Sequence, residues 1–560
     1  MESKFNLLDE PWVLVRKPDE TVETVSLTEA LLNAQTYLDL AGETRTQDAA
    51  VLRLLVAIVH KVILENDLDG VPSLLEDPDE CYDRWDEVWS SGHLPAASIQ
   101  KYLEANRDNF WLIDEKNPFM QSLKAKHGTH YGASKLFGDL SESANKLRLF
   151  PARALSGKQS MSFGEAARWV PTLLAYDDTS GKSKSKSSDK EAPGVGWLGK
   201  IGQIYAKGRN LFETLMLNCV LVQSNGEVYP PDHLSWEENQ ERWEERHKVP
   251  QPEDFGSLMT LRSRLILLES NKNEITGYGL LGGEFFDQED CFAEPFTVWW
   301  PLKKGKLNVF LPKHHSATRQ LWRDFSSIFV LSPENETVRP GIVEWIDRLI
   351  KAKALPSGYL VRFEAPYVTY GKQNSAITSI SSQNLTVCTG IFDVMGSAWV
   401  KEIQSQITKI DKIATCAGYF YADIAEARGG KKETRDEEKA RGTSEVYAML
   451  DQPFTSWVSS IDPVHDNQEK TMKAKADEWI HEAAVLLTRF RQKKIERSMN
   501  LADPGSVFGR VIKEQESGKD RNISILEADQ RFAGQIRKYF PDMKLFGRKK
   551  EGVDANDEQE

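Results

Sequence analysis

The 560-residue chain predicts an α+β protein, a large mixed N-terminal domain over residues 1–388 followed by an all-α C-terminal four-helix bundle over 389–560. Two observations separate the halves. Before Gly390, short β-rich runs at 298–300, 307–311 and 359–363 stand among loops and helical stretches, the mixture expected where helices pack on small sheets. After Gly390, apolar residues recur at helical spacing in long segments joined by polar loops, the pattern of a bundle. A composition 40% hydrophobic and 28% charged at this length supports more than one core.

In chain order, Trp12-Val13-Leu14-Val15, a turn at 17–20 and the run from Val22 to Val25 predict a β-hairpin. Ser26-Leu27-Thr28-Glu29 has the capping-box spacing, so a helix begins there. Val51, Leu52, Leu55, Ile58, Val59 and Val62 predict an amphipathic helix over 48–65. Residues 177–191 are poor in apolar side chains and mix Ser, Lys and Gly. They cannot offset ordering entropy by burial, and their basic character predicts ordering on a polyanion.

In the C-terminal half, Trp399, Ile403, Ile407, Ile410 and Ile413 form the stripe of a long helix that Gly429-Gly430 stops. Further helices are predicted at 443–460, at 468–499 with Trp479, Ala483, Leu486 and Phe490 inward, and at 523–540 before Pro541. The mixed-sign run 431–441 reads as a solvated loop between helices, and 549–560 as a frayed charged tail. Arg489, Arg491, Lys493, Lys494 and Arg497 share one predicted helix and read either as a solvated face or as phosphate contacts.

Charge is distributed unevenly. The chain carries a formal net charge of −13, yet residues 124–209 hold fifteen Lys and Arg against seven Asp and Glu. A basic island on an acidic protein is the footprint of a polyanion-binding surface. Five scattered cysteines without CxxC spacing exclude a disulfide framework and a structural zinc, and place the chain in a reducing cytoplasm. The run 51–64 is interrupted by Arg53, His60 and Lys61, so no membrane span is expected.

Gly194-Val-Gly196-Trp-Leu-Gly199 satisfies G-x-G-x-x-G but follows Ala192-Pro193 rather than a strand, and Gly181-Lys182-Ser183 lacks the upstream glycine of a phosphate-binding loop. Neither His127 with His130 nor His314-His315 has Cys or carboxylate company at ligand spacing. No catalytic residue, metal or cofactor is predicted.

Several segments taken in order resemble the CasA family, the large subunit of the type I-E CRISPR surveillance complex Cascade. They are Asn6-Leu-Leu-Asp9-Glu-Pro-Trp12, the Ser26-Leu27 helix start, Asn117-Pro-Phe-Met-Gln121, Asn145-Lys-Leu-Arg-Leu-Phe150, Glu165-Ala-Ala-Arg-Trp169 and Ala192-Pro-Gly-Val-Gly196. The resemblance implies a non-enzymatic subunit that recognises the protospacer-adjacent motif (PAM) on double-stranded DNA, helps start unwinding and R-loop formation, and recruits the helicase-nuclease. Its implied partners are target DNA, the other Cascade subunits and crRNA, and that nuclease.

By position, the resemblance assigns DNA and PAM contacts to Asn145, Lys146, Arg148, Phe150, Gly194, Gly196, Gly199 and Lys200, and a strand-separating wedge to Gln373 and Asn374. Where the family can carry a PAM-reaching lysine, this chain has the acidic Asp287-Gln-Glu-Asp290, so no lysine finger is predicted. Glycine backbone approaches a minor groove closely, and readout from that side tolerates several sequences. Two alternatives remain open on the residues alone: a nuclease with dispersed carboxylates, and a scaffold subunit that does not read DNA.

Overall fold

A computed structural model gives the structure of the protein and describes residues 5–136, 153, 155–179, 193–238, 243–305, 307–330, 337–393, 396–500, 502–513 and 520–546. The chain divides into two compact units, 1–393 and 394–560. The first is mixed and the second is helical, as the expected fold class requires. Thr389 still belongs to the first unit, because its N–H donates to the Tyr359 carbonyl at 2.8 Å.

In the first unit, β1 (Val13–Arg16) and β2 (Val22–Val25) form the expected hairpin, and β3 (Asp39–Leu40) lies on the other side of β1. Ser26 caps α1 (Leu27–Leu32) by accepting the Glu29 N–H at 3.1 Å, which satisfies one amide that a first turn leaves unpaired. α2 (Arg45–Glu65) starts earlier than periodicity indicated, capped by Thr44, and is not amphipathic: 18 of its 21 residues are buried.

The polar residues that made α2 look two-faced are paired inside the core. Arg53 donates to both oxygens of Glu294 at 3.0 and 2.8 Å, and His60 sits between Asp232 Oδ2 at 2.5 Å and the Val220 carbonyl at 3.0 Å. Buried ionisable groups persist only with such partners. α3 (Pro78–Ser91) and α4 (Ala96–Ala105) pack against α2.

The next stretch contains β4 (Thr129–Gly132), β5 (Met161–Ser162), α5 (Phe163–Tyr176), α6 (Trp197–Lys200), β6 (Tyr205–Lys207) and α7 (Leu211–Asn218), then α8 (Phe255–Met259), β7 (Arg264–Asn271) and β8 (Glu274–Gly282). β8 pairs antiparallel with β7, β4 and β5, and α5 packs on both α2 and this sheet. A reciprocal capping box between Ser162 and Glu165 starts α5.

β9 (Trp299–Lys304) and β10 (Leu307–Pro312) make a hairpin, α9 (Phe325–Phe329) and α10 (Gly341–Lys351) follow, and β11 (Leu360–Tyr370) and β12 (Ile377–Cys388) make a longer one. β6 pairs with β11, giving the order β12-β11-β6. This sheet carries the candidate wedge at the tip between β11 and β12.

The second unit contains α11 (Ser397–Ala427), α12 (Lys432–Ser459), α13 (Glu469–Met499), the short α14 (Pro504–Phe508), a two-stranded ribbon of β13 (Arg510–Lys513) and β14 (Asp520–Ile523), then α15 (Ile525–Tyr539) and the short α16 (Met543–Phe546). The stripe Trp399, Ile403, Ile407, Ile410 and Ile413 is buried as expected. α11 stops where Gly429 turns left-handed at φ +82°, its N–H on the Glu426 carbonyl at 2.9 Å and the Gly430 N–H on Ala425 at 2.8 Å. Those bonds satisfy carbonyls that a helix end leaves open.

The run 431–441 is helix rather than loop, because α12 begins at Lys432. Its mixed charges sit three and four residues apart, as in Arg441 with Glu438 at 2.8 Å and with Glu445 at 3.4 Å, so they support the helix they were expected to interrupt. On α13 the core takes Trp479, Ala483 and Leu487, leaving Leu486 and Phe490 half-buried.

Candidate nucleic-acid interface

Arg264, the first residue of β7, is fully buried and organises the glycine segment. Its Nε donates to Asp177 Oδ2 at 2.6 Å, and its Nη2 donates to the carbonyls of Asp177 at 3.1 Å, Asp178 at 2.9 Å and Gly194 at 2.7 Å. One guanidinium therefore clasps the chain on both sides of residues 180–192. The Gly196 N–H adds a bond to the Asp177 carbonyl at 3.0 Å.

The three glycines have different reasons to be glycine. Gly194 is half-buried and left-handed at φ +75°, a conformation that a Cβ disfavours. Gly196 and Gly199 are buried, and a Cβ would stand 2.3 Å from the Ala175 carbonyl oxygen at the first and 2.1 Å from the Tyr370 hydroxyl at the second. Close packing of the protein's own chain therefore gives those two a structural reason to be glycine. Between them, Trp197 donates its indole N–H to Glu294 at 2.7 Å, so the carboxylate that neutralises Arg53 also holds α6.

The β11–β12 tip meets the same segment. Gln373 and Asn374 both adopt left-handed backbone, at φ +57° and +54°, and are exposed, with no side-chain hydrogen bond among the described residues. Their backbone carbonyls are engaged: Thr179 donates its N–H to Asn374 at 3.0 Å and its hydroxyl to Gln373 at 2.9 Å. Tyr370 donates to the Tyr176 carbonyl at 2.6 Å. The tip is thus tied by its backbone to Thr179, and Tyr370 to Tyr176, the residues flanking the Asp177-Asp178 pair that Arg264 clasps, while both amide side chains face solvent.

Lys200 is half-buried on α6, and burial, reinforced by nearby Arg264, pushes its ammonium down to about 8. The ammonium is close to neutral at mildly alkaline pH, and a bound phosphate would restore its proton. Asn145, Lys146, Arg148 and Phe150 lie outside the described residues, as do the lysines of 182–190 and the tail 549–560.

Much of the described part of the basic island is consumed internally. Arg153 pairs with Glu165 at 2.6 Å, Arg209 with Glu213 at 2.6 Å, Lys207 with Glu364 at 3.5 Å, Arg168 with Glu43 at 3.6 Å and Lys135 with Asp178 at 3.9 Å. The acidic stretch 287–290 is engaged as well, with Lys248 on Asp287 at 3.0 Å and Lys304 on Glu289 at 2.9 Å. His130 pairs with Glu269, and half-buried His315, pushed down to about 4 by desolvation, bonds the Gln203 carbonyl at 3.0 Å. Among the described residues no group of three or more His, Cys, Asp or Glu is placed to hold a metal, and no helix is long and apolar enough to cross a membrane.

Sequence reasoning missed Arg264, Thr179 and Glu294, the residues that hold the site together. Arg264 stands seventy residues beyond Gly194, and no local pattern links them. Tyr370 had a signal, since it immediately precedes the tip segment Gly371-Lys-Gln-Asn-Ser375.

The model of the family described as CRISPR-associated protein Cse1 matches residues 6–489. The chain belongs to this family. That agrees with the resemblance read from the ordered segments. A relative, CRISPR-associated protein CasA/Cse1 of Thermus thermophilus, is 29% identical over 343 residues, 58% of this chain, and the chain spans 60% of that relative's length. The fold is similar to that of Thermobifida fusca Cse1, with a TM-score of 0.79 at 26% identity, covering 96% of this chain and 98% of that one. Cse1 from Acidimicrobium ferrooxidans gives 0.72 at 20% identity over 96% and 99% of the two chains. A chain of a structure described as a CRISPR RNA-guided surveillance complex gives 0.66 at 15% identity over 95% and 99%.

Proposed function

We propose that this chain is the large subunit of a type I-E CRISPR surveillance complex, non-enzymatic itself, which contacts the PAM of double-stranded DNA, starts strand separation and presents a surface to the helicase-nuclease. Family membership supports the complex; the residue roles rest on the site. Asn145, Lys146, Arg148, Phe150, Gly194 and Lys200 are the proposed DNA contacts, with Gly196 and Gly199 shaping the segment. Gln373 and Asn374 are the proposed wedge.

One observation carries this reading: two adjacent amide side chains, unbonded and exposed on a left-handed tip, are anchored through backbone carbonyls to the base of the glycine segment. Opening a duplex step costs a few kcal/mol, and rigidly mounted flat polar groups are suited to replacing the lost stacking and pairing, with guide pairing driving the rest.

The test uses the assembled complex carrying Gln373→Gly with Asn374→Gly. Glycine keeps the left-handed backbone and removes the amides, so unfolding free energy should stay within about 0.5 kcal/mol. Duplex binding that depends on the PAM should persist, while R-loop yield falls about tenfold, equivalent to about 1.4 kcal/mol. Wild-type R-loop yield in this variant would remove the wedge assignment. Metal-dependent cleavage of DNA by the isolated chain would favour the nuclease instead.

A further inference from the structure

The second unit contains a groove that the reading above does not use. It has a volume of about 650 Å³ between α11, α12 and α13, within the roughly 300–1,000 Å³ range of small-molecule sites. Arg489, Lys493 and Arg497 recur every four residues along α13 and so line one face of it, and Arg428 joins them from the end of α11. All four are exposed, and none has an ion-pair partner among the described residues.

The rest of the lining divides by chemistry. Arg441 and Lys494 are neutralised by Glu438 at 2.8 and 2.9 Å. Glu445, the carboxylate among the lining residues, is occupied by the Tyr421 hydroxyl at 2.7 Å and by Arg441 at 3.4 Å. Leu486, Phe490 and Met449 supply an apolar wall, and Phe490 stacks on Tyr421 with centroids 5.5 Å apart. Leu486 and Phe490 are the two positions that helical periodicity assigned to the core and the fold left half-buried.

Four converging unpaired cations repel one another unless an anion lies between them. Arginine forks and a lysine match phosphoryl oxygens, and an apolar aromatic wall beside them matches the flat face of a base. We propose that this groove binds a nucleotide unit, its phosphate groups on Arg489, Lys493, Arg497 and Arg428 and its base against Phe490 and Leu486. The unit comes either from a free nucleoside polyphosphate or from one position of a nucleic-acid strand. This inference does not depend on the wedge or on the glycine segment.

The experiment measures binding to the full-length protein by titration with ATP, inorganic tripolyphosphate, adenosine and an octamer of thymidylate, in wild type and in Lys493→Glu with Arg497→Glu. ATP or the octamer should bind, more tightly than tripolyphosphate and adenosine, and should weaken about tenfold or more when the two charges are reversed. Thermal unfolding of the variant should match wild type, because both side chains are exposed and unpaired. ATP binding assigns the site to a free nucleotide, and octamer binding without ATP binding assigns it to a strand. Binding of neither, binding unchanged in the variant, or tripolyphosphate binding as tight as ATP would overturn the proposal.

Discussion

In the first unit Arg168, Lys207, Arg209 and Arg264 each close an internal contact, whereas Arg489, Lys493 and Arg497 along α13 close none among the described residues. By count the stretch 124–209 is the basic region of the chain, and the α13 run is a short one. The fold narrows that difference for the described residues, because Arg168, Lys135, Arg209 and Lys207 of the island are taken up by Glu43, Asp178, Glu213 and Glu364. Excess charge in sequence locates cations; only partners in space decide which of them are left to meet a ligand.

The sharpest way to break this comparison is to remove one cation from each region. Arg264→Ala removes the buried guanidinium that pairs with Asp177 and bonds the Asp178 and Gly194 carbonyls, and should cost about 3–5 kcal/mol in denaturant unfolding. Arg497→Ala should stay within about 0.5 kcal/mol, as surface substitutions do. Equal effects would show that the clasp is not structural.

A smaller effect separates the glycines. Gly196→Ala drives a Cβ into the Ala175 carbonyl and should cost about 1–3 kcal/mol by overpacking. Gly194→Ala meets only the Lys200 stem at 3.4 Å and should cost about 1 kcal/mol from its left-handed backbone. Thermal unfolding of the two variants measures the difference, and a reversed order would show that close packing is not what holds Gly196 as glycine.

The smallest effect concerns Lys200. Its ammonium is pushed down to about 8 in the fold, so its burial disfavours folding fully below that pH and ceases to do so as pH rises past its unfolded value of about 10.4. Binding has the opposite sign: phosphate favours the ammonium, so duplex affinity should fall as pH rises from 7 to 9, by roughly threefold to tenfold. Lys200→Gln should flatten that profile and lower the salt slope by about one. A wild-type profile in the variant would exclude Lys200 from the contact.

Local patterns were readable where the physics is local. The β1–β2 hairpin, the Ser26 cap, the apolar stripe of α11 and the Gly429 stop depend on residues a few positions apart. α2 misled because Arg53 and His60 are satisfied by Glu294 and Asp232, far along the chain. The candidate site divides in the same way. The proposal for Gln373-Asn374 came from family resemblance, but the tip's anchoring by Thr179 joins segments 195 residues apart and the clasp by Arg264 segments 70 residues apart, a relation that no spacing in one sequence encodes.

The clasp also couples two stretches of chain that are distant in sequence. Asp178 and Gly194 both terminate on a single guanidinium, so one side chain sets the spacing of both carbonyls. Any change at that one position therefore reaches the end of α5 and the start of α6 together.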